Sequence, residues 1–336
     1  MTKVLVTGAN GYIAQWIVRY LIEGGYDVLG TVRSKDKGDR LARFFGPKFQ
    51  YAVVPNIVDP HAFDQVLKDH PEITVVLHTA SPFSFEVEEP ERDILKPAIE
   101  GTKLILDSIF NYAPQVTRVV ITASTAGCRP EVELPDNVAN EETWTFIDYD
   151  VAKDNLILAY LALKPLAEKA AWDFVKEKKP NFTLTTVLPG YTFGPQCDPE
   201  DAKKVKLNQL MQVIDDLLEL EPETRGPVKH FGPYIDVRDV AKAHIAPITD
   251  SKLHGERLLL VDRRFTMQTL ADIVNREWPE LKIWKGHPGG DTYKLRKLGK
   301  YDASKTKGLL GWEFIDIGTS VKDSVSQLFR ARGSKI

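Results

Sequence analysis

Two rhythms of apolar and polar positions run through the first 190 residues. Short runs rich in Val, Ile and Thr read as strands: "KVLVTG", "YDVLGTV", "YAVVP", "TVVLHTA", "TRVVITAS" and "FTLTTVLPG". Longer segments with helical spacing separate them, over Gly11 to Glu23, Lys37 to Phe45 and Ile94 to Tyr112. Strands alternating with helices predict right-handed crossovers and a mainly parallel sheet. The strand runs are apolar on both faces, as expected where helices cover both sides. The predicted class is α/β, a Rossmann-type doubly wound parallel sheet with a smaller, mainly helical C-terminal lobe.

The rhythm changes after Gly194. A polar loop leads into "KLNQLMQVIDDLLELE", and "RFTMQTLADIVNREW" and "SVKDSVSQLFRARG" read as separate amphipathic helices. The sequence therefore divides into residues 1–190 and, for the most part, 191–336. The stretch "YIDVRDVAKAH" lies in the second part, and residues 234–246 are expected to return to the first domain.

The first strand and its helix are joined by "VLVTGANGYIAQWIVRYLIEGG". Gly8 permits a tight turn, Gly11 lets the backbone approach a pyrophosphate at a helix N-terminus, and Ala14 allows close helix–strand packing. The alternative is an ordinary strand-to-helix turn that holds two glycines. Strand before and helix after favour dinucleotide binding. An NAD enzyme usually carries an acidic residue at the end of the second strand. Here that place reads Thr31, Val32, Arg33, with Lys35 and Lys37 close by. Arg33 offers a planar fork for a 2′-phosphate and Lys37 a point charge. Cations at a helix start oppose the macrodipole, so an anionic ligand is expected, and NADP is favoured over NAD.

The segment "DYDVAKDNLILAYLALKPLAEKAAW" contains Tyr-x-x-x-Lys twice, Tyr149 with Lys153 and Tyr160 with Lys164. Four residues apart, each pair shares a helix face. A nearby ammonium favours phenolate and makes a tyrosine a better proton donor. Asp148, Asp150 and Asp154 crowd Tyr149 and act the other way. Around Tyr160, Ala167, Ala170, Ala171, Phe174 and Val175 follow at core-facing spacing, and Glu168 falls one further turn below Lys164. Tyr160 and Lys164 are therefore the chosen pair. Ser124 ends the strand "VVITAS", and ligands of open parallel sheets bind beyond the carboxyl ends of strands.

Composition narrows the remaining classes. A formal net charge of −3 gives no basic footprint for nucleic acid or anionic membrane. No apolar run reaches membrane-spanning length. Cys128 and Cys197 are the only cysteines, too few for a disulfide framework or a Cys-rich zinc site. The histidines lack metal-site spacing, so no metal is expected; His78 reads as structural or near the cofactor phosphates. "MTKVLVTG" enters a strand almost at once, "NFT" at Asn181 reads as an accidental glycosylation sequon, and the final "SKI" departs from the peroxisomal signal. The expected location is cytoplasmic, and the expected assembly a monomer or homodimer.

Taken together, "VTGANGYIAQ", "TVRSKDK", "VLHTASPFSF", "VVITAS", "AEKAAW", "FGPQ", "YIDVRDVAKAH" and "SKTKGLLGW" resemble the extended short-chain dehydrogenase/reductase superfamily. Within it, the chain is similar to the branch of yeast NADPH-dependent methylglyoxal and isovaleraldehyde reductases and related carbonyl reductases. The resemblance runs nearly end to end. It implies Ser124, Tyr160 and Lys164 as catalytic residues. It implies cofactor contacts from Gly8, Asn10, Gly11, Tyr12, Ile13, Arg33, Lys37, Asn56, Ile57, Thr79, Ala80, Ser81, Tyr160, Lys164 and Pro189. It implies reversible transfer from the B face of the nicotinamide of NADPH. Phe83, Phe85, Thr125 and Tyr191 outline an aromatic pocket for a small aldehyde, ketone or keto ester in a C-terminal substrate lobe. The chain departs from relatives at Leu163, where they often carry Ser, at Pro165, and at Asn56, where they carry aspartate. Two rivals share the scaffold. A nucleotide-sugar epimerase or dehydratase would use tightly held NAD and an acid near Tyr149; a regulatory protein would sense NADP without turnover.

Overall fold

The computed structural model describes residues 2–81, 88–130, 137–224, 230–290, 295 and 298–333, and of Tyr160 the backbone. The chain opens with β1 (Lys3–Thr7), α1 (Tyr12–Glu23), β2 (Asp27–Val32), α2 (Lys35–Phe45), β3 (Phe49–Val53), α3 (Asp64–Asp69) and β4 (Ile73–His78). A single π-type turn over Glu91–Leu95 leads into α4 (Lys96–Tyr112), followed by β5 (Arg118–Thr122) and the short β6 (Val138–Ala139). Then come α5 (Tyr149–Ala152), α6 (Leu156–Lys178), β7 (Thr183–Pro189), β8 (Tyr191–Phe193), α7 (Gln209–Leu218), β9 (Phe231–Asp236) and α8 (Val237–Ile245). The remainder holds β10 (Arg257–Leu260), β11 (Arg263–Thr266), α9 (Met267–Glu277), β12 (Lys300–Tyr301) and helices over Ser304–Leu310 and Ile317–Arg332.

The main sheet has the order β10-β7-β5-β4-β1-β2-β3. β1 pairs in parallel with β2 and β4, and parallel pairing continues through β2–β3, β4–β5 and β5–β7. The chain proceeds from β1 outward to β3, then returns to place β4 on the other flank of β1. That reversal opens a crevice at the carboxyl ends of β1 and β4, where such sheets bind ligands. Register makes these ends level: Thr7 faces His78, and His78 faces Ile121.

The chain divides into two compact units. The first comprises Met1–Arg129, Glu141–Leu188 and Ala241–Leu258. Its core joins strand residues Leu5, Leu29, Val76 and Val119 to Ile105 and Ile109 of α4 and Ala171 and Phe174 of α6. Each buried side chain of this kind stabilises the fold by about 1.5–3 kcal/mol. Ala170, Ala171 and Phe174 are buried as their spacing predicts, while Ala167 and Val175 are partly covered. α6 continues through Pro165, which deprives one turn of a backbone hydrogen bond.

The second unit comprises Pro130–Asn140, Pro189–Val240 and Leu259–Ile336. Where a mainly helical lobe is expected, it also contains a three-stranded sheet, β11-β9-β8. Tyr191 and Phe193 of β8 pack with Phe265 of β11, and Phe193 stacks on Tyr234 of β9. Arg238 is held by Asp236 and by Asp323 of the last helix. Of the expected 234–246, residues 241–246 lie in the first unit, within a returning segment of 241–258; β9 and the start of α8 belong to the second unit, and the crossing falls inside α8.

Candidate active site

The glycine loop has the geometry that its sequence requires. Gly8 has φ +66°, a conformation that L side chains rarely adopt, and a Cβ there would lie 3.1 Å from Ala80 Cα. Its amide is donated to Thr31 Oγ1 at 3.2 Å. Gly11 is the N-cap of α1, with extended backbone and no capping side chain, and no acidic residue stands in the first turn. The first turn of α1, which begins with Tyr12 and Ile13, therefore forms a positively polarised helix end with no side-chain cap. Asn10 contributes its carbonyl oxygen to Gln15 Nε2.

β4 is tied to β1 through one hydroxyl. Thr7 Oγ1 accepts from the amides of Thr79 and Ala80, both at 3.1 Å, and lies 2.9 Å from His78 Nδ1. Two amides occupy both lone pairs, so the Thr7 proton is directed to Nδ1, which assigns His78 as neutral with its hydrogen on Nε2. Burial, and then the charge of Lys164, lower the pKa of His78 to about 3, which agrees. Thr79 Oγ1 donates to Thr7 O at 2.6 Å. This network fixes Thr79 and Ala80, with Ala80 beside the Gly8 turn.

At the end of β2, Arg33 and Lys37 are exposed, and neither has an ion-pair or hydrogen-bond partner among the described residues. Lys35 is committed to Asp39, which also accepts the Tyr51 hydroxyl. Asn56 donates to Asp59 at 2.6 Å and caps Val58 N, so at this point its amide serves its own loop. A concave Gly8 turn, a helix end without a side-chain cap and the exposed cations Arg33 and Lys37 fit the phosphates of NADP.

The two tyrosines separate cleanly. Tyr149 donates its hydroxyl to Glu91 Oε1 at 2.8 Å, and burial together with that carboxylate raises its pKa to about 12. Lys153 pairs with Asp150. Acidic neighbours raise the pKa of Tyr149, as expected, but the principal one is Glu91 rather than Asp148, Asp150 or Asp154, and Asp148 instead caps α5. Tyr160 lies on α6 one turn before Lys164. Its side chain, and the whole of Phe83 and Phe85, lie outside the described residues.

Lys164 projects from α6 to the end of β5, where Nζ donates to Thr122 O at 3.4 Å. Two residues on, Ser124 caps a 3-10 turn over Thr125–Cys128, and its Oγ accepts from Ala126 N at 3.1 Å. That bond uses a lone pair and leaves the hydroxyl hydrogen available to a second oxygen. Ile57, Ala80, Ser81, Thr122 and Lys164 line one crevice, together with Glu168 from the next turn of α6. Of the expected cofactor set the structure thus brings Ile57, Ala80, Ser81 and Lys164 into one crevice. Thr125 is buried in that turn. Pro189 and Tyr191 belong to the second unit, where Tyr191 also approaches His230.

Two residues near this site stand outside the expected site set. His244 is buried on α8 and its Nε2 lies 2.7 Å from Thr122 Oγ1. Arg257, at the start of β10, makes a buried ion pair with Glu168. Glu168, which follows Tyr160 and Lys164 on one side of α6, was the sequence signal for Arg257, and His244 closes the stretch "YIDVRDVAKAH".

A family model described as the NAD dependent epimerase/dehydratase family matches residues 4–260. The chain is 42% identical over 341 residues to the NADPH-dependent methylglyoxal reductase of Saccharomyces cerevisiae, covering 98% of this chain and 99% of that protein. It is 35% identical over 334 residues to a ketoreductase of Aspergillus niger, covering 97% of each. The crystal structure of yeast methylglyoxal/isovaleraldehyde reductase complexed with NADPH superposes with a TM-score of 0.94 at 40% identity, over 99% of this chain and 100% of that one.

Proposed function

The chain belongs to the NAD dependent epimerase/dehydratase family, and we propose that within it this protein is an NADPH-dependent reductase of aldehydes and ketones. The observation that carries the reading is Lys164: a half-buried ammonium, bonded to the strand end that precedes Ser124, one helical turn after Tyr160. Gly8, the N-terminus of α1, Arg33 and Lys37 would hold the dinucleotide, with Ile57, Thr79, Ala80, Ser81 and Pro189 along it. NADPH, when bound, supplies the hydride for the carbonyl carbon. Tyr160 gives its proton to the carbonyl oxygen as general acid. Ser124 donates its free hydroxyl hydrogen to the same oxygen as negative charge develops there. Lys164 favours the phenolate and would hold the nicotinamide ribose. Phe83, Phe85, Thr125 and Tyr191 are proposed to contact the substrate, a small or medium carbonyl compound such as methylglyoxal, isovaleraldehyde or a keto ester.

The decisive test is NADPH oxidation by the purified protein against methylglyoxal, isovaleraldehyde, an aryl ketone and a β-keto ester, with NADH in parallel. NADPH-specific turnover of at least one member is expected. Tight NADPH binding with no consumption of any carbonyl would overturn the reading in favour of a non-catalytic sensor. The epimerase rival needs an acid at Tyr149, whose hydroxyl is already given to Glu91. Low-identity matches to nucleotide-sugar epimerases share the fold alone.

Cofactor choice makes a separate prediction. Arg33→Asp should raise the KM for NADPH roughly 10–100-fold, since a charge-assisted hydrogen bond is worth about 1.5–3 kcal/mol. The same carboxylate should lower the KM for NADH by pairing with the ribose 2′-hydroxyl. An unchanged NADPH KM would remove Arg33 from the 2′-phosphate site.

A further inference from the structure

Arg257 is joined to more of the first unit than any motif announces. Nε donates to Glu168 Oε1 at 2.8 Å and Nη2 to Glu168 Oε2 at 3.1 Å. Nη1 donates to the carbonyl oxygens of Glu141 and Thr143, both at 2.7 Å, and Nη2 reaches Gly127 O at 3.3 Å. These contacts use all five N–H groups of a guanidinium. The cation also lies 3.7 Å from the ring centroid of Trp144. Glu168 is 1% exposed and accepts a third donor, Thr186 Oγ1, at 2.7 Å.

A buried ion pair is weak evidence for stability, because apolar residues of similar volume often do as well. Its position supplies a better reason. Glu168 sits one turn after Lys164 on α6, and Gly127 sits three residues after Ser124. Gly127 has no room for a side chain: a Cβ there would lie 2.7 Å from Glu168 Oε2. Pro165 has no N–H for the carbonyl of Leu161, so the turn of α6 that carries Tyr160 and Lys164 lacks a backbone bond. Along this stretch the helix and the Ser124 turn are therefore located by one side chain that holds both. Arg257 also occupies both oxygens of Glu168, so the nearest buried carboxylate of α6 does not neutralise Lys164.

We infer that Arg257 is a positioning residue of the reaction: through Glu168 and Gly127 it sets the distance between the Ser124 hydroxyl and the Tyr160–Lys164 face of α6. A lysine at 257 keeps the charge opposite Glu168 but has three donors for five acceptors. The inference rests on the carbonyl-reductase reading above.

The test compares Arg257→Lys and the double variant Arg257→Met/Glu168→Met with the wild-type protein. The measurements are kcat and KM for the best carbonyl of the panel, NADPH affinity by fluorescence titration, thermal unfolding, and amide exchange over residues 125–128. Arg257→Lys is expected to retain the fold and to bind NADPH within about threefold of wild type. Its kcat should fall at least about tenfold, since small misplacements of reacting groups cost up to about 100-fold. Substrate KM should move far less, and exchange over 125–128 should accelerate. The double variant, free of buried charge, should recover thermal stability without recovering kcat. Wild-type kcat in folded Arg257→Lys, or recovery of kcat together with stability in the double variant, overturns the inference. If wild-type protein reduces no carbonyl, the reductase reading fails separately. The exchange measurement then decides on the clamp alone, and unchanged protection over 125–128 in Arg257→Lys overturns it.

Discussion

Tyr160→Phe should lower kcat by about 10²–10⁴-fold, the usual worth of a positioned general acid, while NADPH affinity stays within a few-fold of wild type. Tyr149→Phe should retain nearly full activity. The contrast follows from what surrounds each phenol. Tyr149 already donates to Glu91, and burial with that negative neighbour raises its pKa to about 12, so its proton is held more firmly than in a free tyrosine. Its lysine, Lys153, is spent on Asp150 at 2.7 Å. Lys164, by contrast, has no carboxylate partner among the described residues, and Tyr160 stands one turn before it on an unbroken helix. A positive charge at that spacing favours the phenolate and makes proton release easier. Steady-state kinetics on both variants, with NADPH titrated by fluorescence, decide the matter. Full activity in Tyr160→Phe together with loss in Tyr149→Phe would reverse the assignment and revive the epimerase reading.

The elements that could be read from the sequence are those whose signals are local. The Gly8 turn, the N-terminus of α1 and the end of β2 lie within one strand–helix–strand unit, and their side chains or their lack determine the backbone directly. Ser124 was legible because it closely follows an apolar strand, and Lys164 because helical spacing pairs it with Tyr160. The missed features depend on partners far apart in the chain. Arg257 meets Glu168 from 89 positions away, and His244 meets Thr122 from 122 positions away. No window of the sequence contains either contact. The sheet of the second unit was missed for a different reason. β8 has three residues, and β9 contains Gly232 and Pro233, both unfavourable within strands, so "FGPYID" carries little local strand signal. Pairing with neighbours, and the packing of Tyr191, Phe193 and Phe265, supply what local preference lacks. The same override explains α8: its helical periodicity runs unbroken while its residues divide between the units at Val240 and Ala241.

Lys164→Met should produce the second large effect, and in two opposite directions. Activity should fall by about 10–100-fold, since the phenol loses the charge that eases proton release. Stability of the cofactor-free protein at pH 7 should rise. Burial lowers the pKa of Lys164 from 10.5 to about 8, so below pH 8 the folded protein carries a desolvated ammonium that the unfolded chain keeps in water. The displacement corresponds to a cost on the order of 3 kcal/mol at neutral pH. Between about pH 8 and 10.5 the unfolded chain binds more protons than the folded one. Wild-type stability should therefore climb with pH through this window relative to the methionine variant. Two curves of apparent Tm against pH, for the wild type and Lys164→Met, should be separated by several degrees at pH 7 and converge toward pH 10.5. Saturating NADP should narrow the gap at pH 7, because the cofactor stabilises the form that still has its lysine. A variant less stable than wild type at every pH would show that the ammonium is well solvated in the fold. A stabilised but inactive variant would mean that this site keeps a half-buried charge for its chemistry at the expense of the fold.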